Sequence, residues 1–407
     1  MPGEVPLPAT PSEPDPEPLN CRPPARLGHY ELVRQIARGG MADIYLARRD
    51  GIGQFERHVA LKVLNRQRAQ EAEACQMFLD EARVVGLLNH HNVAAVLDVD
   101  VIDNQHYLAM EYVHGVDLRE LLACAVRKRH AIPYDAAISI VARAAAGLDH
   151  AHRRIGPDGQ PLGLVHRDVS LSNIMVGHDG SVKVVDFGIA QTTIATVQTC
   201  PGVVRGKASY MSPEQCLGDP LDHRTDVFAL GVVLYELTTG ARCFSGKTDF
   251  ERMLGVVRGE YVPPSQLDQC YPPELEAVVR RALATDPARR YETASALMEA
   301  LEEVASVRHW LTGDDEIVGL LRALYGEVSE PWAPPIELVL PDTAAPTKRG
   351  TRLARGTEPP AEPHELARGS EPDLLRACGW APTPDEDDEP TRGRRPIKRP
   401  PTPNVAA

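Results

Sequence analysis

The run His166-Arg167-Asp168-Val169-Ser170-Leu171-Ser172-Asn173, followed by Asp186-Phe187-Gly188, decides how the rest of this chain is read. It sets an Asp, then an Asn, then a second Asp in a fixed order. The first carboxylate can take a proton from a hydroxyl. The amide oxygen and the second carboxylate can hold a metal ion against phosphate oxygens. Either tripeptide alone, His-Arg-Asp or Asp-Phe-Gly, is a weak signal. The two together, with the Asn between them, are a strong one.

Working outward, residues 174–176 and 182–185 read as short strands flanking this segment, and 156–163 is a polar Gly/Pro loop before it. From 118 to 307 the pattern is mainly helical. From 30 to 109 it is mainly short strands with one helix. Residues 31–36 and 44–48 read as a hairpin around a Gly-containing turn. In 58–64, alternation puts Val59, Leu61 and Val63 on one face and Ala60 and Lys62 on the other. Residues 71–89 read as a helix whose Phe78, Ala82 and Val85 share a face, with Glu81 beside them. The expectation is an α+β fold with two lobes: a small antiparallel β lobe with one helix over 30–109, a linker over 110–117, and a larger helical lobe over 118–307. An amphipathic helix over 315–325 would extend it, within 308–330. The Pro-rich stretches 1–26 and 331–407 are expected to be disordered.

Composition sets the outer bounds. The chain has 407 residues, 43% of them hydrophobic, enough for a sizeable core. Domains run to roughly 100–200 residues, which allows two or three units or one two-lobed unit with tails. A formal net charge of −13 disfavours nucleic acid as a partner. The eight cysteines contain no Cys-x-x-Cys pair, so reduced thiols in a cytoplasmic protein are expected rather than a zinc ribbon or disulfide framework. The first residues lack a basic segment and an apolar core, so no signal peptide is read. The most apolar helical stretch, 227–237, is shorter than the about 20 residues a bilayer requires, so no membrane association is expected.

At these motifs the chain resembles the eukaryotic-type protein kinases, in particular the bacterial serine/threonine kinases, over residues 30–305. The resemblance implies ATP and Mg²⁺ as cofactors and protein Ser/Thr hydroxyls as substrates. It implies that Asp168 is the base and that Asn173 and Asp186 are the metal ligands, hard oxygen donors for a hard cation. Lys62 would bind the phosphates, held by Glu81. The loop Ile36-Ala37-Arg38-Gly39-Gly40-Met41-Ala42-Asp43-Ile44 would cover the phosphates. It departs from the family's GxGxxGxV: only the middle Gly remains, as Gly39, with Ala37 and Ala42 in place of the outer two. Ala60 and Ile44 would roof the adenine and Met175 would floor it. Backbone groups of Glu111 and Val113 would pair with its edge, Met110 would guard the back pocket, and Asp117 falls where a ribose-binding residue often sits. A strand end running into a helix start fits Asp117 equally.

Arg167 would offer its guanidinium to a phosphate on the segment 186–214, which carries Thr192, Thr193, Thr196, Thr199 and Ser209. Thr196 and Thr199 are the favoured phosphorylation sites. Ser212-Pro213-Glu214 resembles the family's Ala-Pro-Glu element, with Arg290 as the partner of Glu214. Asp226 would begin the central helix and brace the catalytic loop. These features favour a protein substrate over a small molecule.

The family's Lys two residues after the catalytic Asp is Ser170 here, and the Thr of its GTxxY pattern is Lys207. The two changes look like a swap, in which Lys207 replaces the missing catalytic Lys and Ser170 is its hydroxyl partner. The loop does not resemble the Ala-Ala-Arg-Asn form of tyrosine kinases. The alternative reading is a weak or inactive kinase-fold scaffold that binds partners through its fold and tails. An upstream kinase or regulatory partner is expected as the source of input. The tail's basic run Arg392-Gly393-Arg394-Arg395-Pro396-Ile397-Lys398-Arg399 reads as a solvated segment, with Thr383, Thr391 and Thr402 as available acceptors.

Overall fold

The computed structural model describes residues 26–50, 56–156, 158–187 and 207–332. Residues 1–25 and 333–407 of the Pro-rich tails, Thr192, Thr193, Thr196 and Thr199, and the side chain of Lys207 lie outside these residues, whereas Arg26 is in the first strand and Trp332 stacks on His58. Among the described residues no helix is long and apolar enough to cross a membrane.

The small lobe is an antiparallel sheet of β1 (Arg26–Leu27), β2 (Tyr30–Arg38), β3 (Ala42–Asp50), β4 (Glu56–Leu64), β5 (Val96–Ile102) and β6 (Gln105–Glu111), in the order β1-β2-β3-β4-β6-β5. Strand alternation sorts β4 as its sequence implied. Val59 and Leu61 are buried on one face with Tyr30, Ala47, Tyr107 and Ala109. On the other face Leu64 packs with Ala42, Leu108 and the helix residues Phe78 and Ala82. The register Ile44↔Lys62, Leu46↔Ala60 and Arg48↔His58 places these pairs on that second face, because directly opposed residues share a side. Helix α1 (Ala72–Val85) buries Phe78, Glu81, Ala82 and Val85 along one stripe.

The chain leaves β6 at Glu111 and forms β7 (Gly115–Asp117), which joins β8 (Ile174–Gly177) and β9 (Val182–Val184) in a second small sheet. Helix α2 (Leu118–Arg127) starts at Asp117, whose Oδ1 accepts the Glu120 N–H at 2.7 Å. Helices α3 (Tyr134–His152) and α5 (Arg224–Thr239) are apolar around most of their circumference and therefore sit at the centre of the large lobe. Between them in sequence, α4 (Pro213–Leu217) opens with a capping box: Ser212 Oγ accepts the Gln215 N–H, and Gln215 Oε1 accepts the Ser212 N–H. Helices α6 (Asp249–Arg258), α7 (Pro264–Leu267), α8 (Pro273–Ala282) and α9 (Ala294–Arg308) complete the lobe. A further helix, α10 (Asp314–Tyr325), buries Ile317, Leu320, Leu321 and Leu324.

The large lobe is cross-braced by a buried ion pair. Arg290 Nη1 and Nη2 donate to Glu214 Oε1 and Oε2, both at 2.7 Å. The remaining guanidinium donors reach the carbonyls of Ala284, Thr285 and Arg224, and Thr225 Oγ1 donates to Glu214 Oε1. Every polar atom of the pair thus has a partner, which is the condition for burying both charges. Burial pushes the Glu214 carboxyl up, but the Arg290 hydrogen bonds reverse this and hold it below the usual range. A carboxyl depressed in the folded state stabilises the fold above its unfolded pKa of about 4.3, and that contribution fades as pH falls through the folded value. Arg290→Met, which leaves the carboxylate buried and unpaired, is expected to cost about 3–5 kcal/mol at neutral pH. Denaturant unfolding should show the deficit shrinking as pH falls from about 4.3 through the depressed folded value, below which Glu214 is neutral in either protein. An equal deficit at neutral pH and below that value would refute this account.

Candidate active site

The site is built on the loop between α3 and β8, and one buried carboxylate sets its shape. Asp226, the third residue of α5, has no exposed surface. Its Oδ2 accepts the His166 N–H at 2.8 Å and its Oδ1 accepts the Arg167 N–H at 2.9 Å. His152 Nε2, at the end of α3, lies 2.7 Å from Oδ2. Burial opposes the charge on Asp226, but the bonds from His152 and His166 hold its carboxyl below the usual range. These amide bonds matter because Arg167 has φ +67°, a left-handed backbone that side-chain-bearing residues seldom adopt. Such a conformation persists only where the surroundings impose it. Gln215 Nε2 imposes it from the other side, donating to the Arg167 carbonyl at 2.8 Å.

Downstream, Asn173 Nδ2 donates to the Asp168 carbonyl at 2.8 Å and to Asp168 Oδ2 at 2.9 Å. This orients the Asn173 amide oxygen away from Asp168. His166 accepts the Asp168 N–H on Nδ1, so its Nε2 carries the proton and donates to the Val185 carbonyl at 3.1 Å. The His166 ring also rests 4.6 Å from that of Phe187. These contacts carry the chain into Asp186, which has φ +53°. The two aspartates predicted from sequence are thereby brought to one cleft.

Lys62 reaches this cleft from the small lobe. Its Nζ donates to Glu81 Oε1 at 2.7 Å and to Asp186 Oδ1 at 3.0 Å. Burial works against the ammonium, but the Asp186 and Glu81 carboxylates outweigh it and raise the Lys62 pKa. Burial also raises the Glu81 carboxyl, with Lys62 pulling the other way. One cation therefore ties β4, α1 and the Asp186 segment together. The donor set at the cleft, an amide oxygen on Asn173 and the Asp186 carboxylate, is all hard oxygen and fits Mg²⁺.

The other predicted residues fall around this centre. Ile44 and Ala60 are partly exposed on the Lys62 face of the sheet, and Met175 pairs with Asp117 across β7 and β8. The loop 36–44 is the β2–β3 hairpin turn, closed by the Gly39 N–H to the Ala42 carbonyl at 3.0 Å. A Cβ on Gly39 would meet that carbonyl oxygen at 2.8 Å, so the one family Gly that remains is the one the turn requires. Arg38 and Asp43 flank the turn with their charged atoms 4.0 Å apart. Ala37 is exposed, as are Gly39 and Gly40, whereas Ala42 is buried under the sheet and Met41 packs against the same cluster. Val113 is partly exposed beyond β6. Asp117 serves as the α2 cap, and its Oδ2 lies 3.8 Å from Arg119. Ser170 is buried with no hydrogen-bond partner for its hydroxyl among the described residues.

Sequence reasoning missed three supports. Asn65 holds the hairpin turn, its Nδ2 on the Gly39 carbonyl and its N–H on the Met41 carbonyl, both at 2.9 Å. Lys183 donates to Glu111 Oε1 at 2.8 Å and fixes the residue at the start of the linker. The Gln215 capping box was legible as Ser-x-x-Gln, but its second bond, to Arg167, was not.

Residues 30–301 match the protein kinase domain family. The chain is 38% identical over 374 residues to the tyrosine-protein kinase MasK of Myxococcus xanthus, covering 90% of this chain and 57% of MasK. It is 37% identical over 289 residues to the serine/threonine-protein kinase PknB of Mycobacterium leprae, covering 70% and 44%. With the serine/threonine-protein kinase PrkC of Bacillus subtilis it shares 34% over 267 residues, covering 66% and 39%. The chain spans less than two thirds of each of these relatives. The crystallised kinase domain of Mycobacterium tuberculosis PknI superposes with a TM-score of 0.53 at 28% identity, over 70% of this chain and 99% of that domain. A two-lobed fold that converges Lys62, Asp168, Asn173 and Asp186 on one cleft agrees with these matches, and the chain belongs to the protein kinase family, whose members use ATP.

Proposed function

We propose that this protein transfers the γ-phosphoryl group of ATP to Ser/Thr hydroxyls of protein substrates and phosphorylates its own 186–214 segment. The observation that carries the reading is the bridge from Lys62 to both Glu81 and Asp186, made in the same cleft as the Asp168–Asn173 pair. Asp168 accepts the proton of the attacking hydroxyl. Lys62 holds the α- and β-phosphates in line, with Glu81 keeping the ammonium in place. Asn173 and Asp186 hold Mg²⁺, which when bound supplies positive charge at the phosphate oxygens. Ile44, Ala60 and Met175 enclose the adenine, and the linker backbone at Glu111 and Val113 meets its edge.

The Ser/Thr assignment is supported by the names of PknB and PrkC and by a catalytic loop unlike the Ala-Ala-Arg-Asn form. The name of MasK favours tyrosine as the second reading. We also propose a soluble, cytoplasmic protein, supported by cysteines that lack a pairing motif, with protein substrates and an upstream kinase or regulatory partner as its contacts.

Incubation with Mg-ATP and a basic protein substrate, followed by intact mass, should add phosphoryl groups to the normal chain and none to Asp186→Asn. Phosphoamino-acid analysis should find phosphoserine or phosphothreonine. Phosphotyrosine would shift the assignment, and no transfer despite nucleotide binding would favour the scaffold reading. Asp226→Asn places an NH₂ against a backbone N–H and should relax Arg167. Misplacement of the base by about 1 Å would lower kcat roughly a hundredfold, with nucleotide affinity changed much less. The swap with Lys207 is supported by Ser170, whose buried hydroxyl has no hydrogen-bond partner among the described residues. Ser170→Lys and Lys207→Thr should each lower kcat and together recover it; harmless single changes would sink the swap.

A further inference from the structure

The chain beyond residue 301 is fastened to the large lobe and then returns to the cleft. Lys128 Nζ, just past the end of α2, donates to the Leu324 carbonyl of α10 at 2.5 Å. Arg143 of α3 donates to the Gly180 carbonyl at 2.9 Å and to Asp314 at the start of α10. At Gly326 the backbone turns with φ +76°, a value glycine adopts without strain. Residues 327–332 then run past the β8–β9 turn to the linker. Aromatic contacts mark the route: Tyr325 against His178, His178 against His114, and His114 against Trp332 at 6.1 Å.

Trp332 ends on the small lobe. Its indole stacks face to face on His58, with ring centroids 4.1 Å apart and planes 7° apart. It also meets Tyr112 edge-on at 5.7 Å. Both partners border the adenine positions named above. Along β4, His58 lies on the same face as Ala60 and Lys62, so its side chain is about 7 Å from that of Ala60. Tyr112 is the linker residue between Glu111 and Val113. The indole therefore stands at the linker end of the face that carries Ala60 and Lys62. It is 38% exposed, so core packing does not account for its position.

We propose that Trp332 is a nucleotide-site residue supplied from outside the matched kinase domain. Its indole walls the outer mouth of the cleft beside the purine. Through its contacts with His58 and Tyr112, it couples the small lobe and linker to α10. This rests on the proposal that the cleft takes ATP, and it adds a residue that none of the motifs contains.

The test uses the full chain and Mg-ADP as probe, with affinity measured by calorimetry for the normal protein, Trp332→Ala and Trp332→Phe. Trp332→Ala should weaken ADP binding roughly three- to tenfold, the size of one lost aromatic contact, and Trp332→Phe should restore most of it. KM for ATP should rise by a similar factor, while kcat moves less. Trp332→Ala that melts at lower temperature but binds ADP as the normal protein does would overturn the proposal, leaving Trp332 a strut only. Failure of the normal protein to bind ADP would overturn the nucleotide reading itself, and the normal protein alone distinguishes that outcome.

Discussion

The buried carboxylate of Asp226 is the constraint on which the rest of the site depends. A charge with no exposed surface is tolerated only when its oxygens are filled, and here the partners are two consecutive backbone amides and a histidine. Because those amides belong to His166 and Arg167, satisfying the charge also fixes the left-handed turn that precedes Asp168. The helix carrying Asp226 is buried on nearly every side, so the anchor cannot drift with solvent. Position of the base is thereby inherited from a helix at the centre of the large lobe.

The opposite wall of the cleft depends on Lys62. Its ammonium bonds the small-lobe sheet, α1 and the Asp186 segment at once. Two carboxylates converging on one cation make the three elements move together. A nucleotide's phosphates would enter as further anions beside the same ammonium. This contact between lobes is polar, and beside it Val85, Leu88 and Val93 join the apolar cluster of the large lobe, with Val93 bridging Val184 of β9. The linker between the lobes is held at both ends, Glu111 by Lys183 and Asp117 in the α2 cap.

The departures from the family pattern find local physical answers. Loss of the outer glycines from the 36–44 loop leaves Gly39 where a Cβ would collide with backbone, and Asn65 ties down the turn that the missing glycines would have loosened. Ala42 is accommodated because its methyl packs in the apolar cluster with Leu64, Phe78 and Leu108. The C-terminal extension adds a further connection between lobes, on the linker side, by stacking Trp332 on His58.

Much of this was legible before any coordinates. Alternation in 58–64 sorted Lys62 from Leu61, helical periodicity put Glu81 beside Phe78, and the order of Asp168, Asn173 and Asp186 named the chemistry. These are properties of local pattern, which short-range geometry dictates. Asp117 was open between ribose contact and helix start, and the structure employs it as a cap. Asn65, Lys183 and the second bond of Gln215 were invisible, because each acts on a partner far away in sequence and carries no motif of its own. The same holds for Trp332, an aromatic in a stretch without periodicity. The elements, their faces and the residue types of the cleft follow from chain geometry and side-chain chemistry and so are written in local pattern. Which buried carboxylate meets which amide, and where the extension comes to rest, emerges only on folding, because those pairings arise when distant segments must satisfy each other's polar groups away from water.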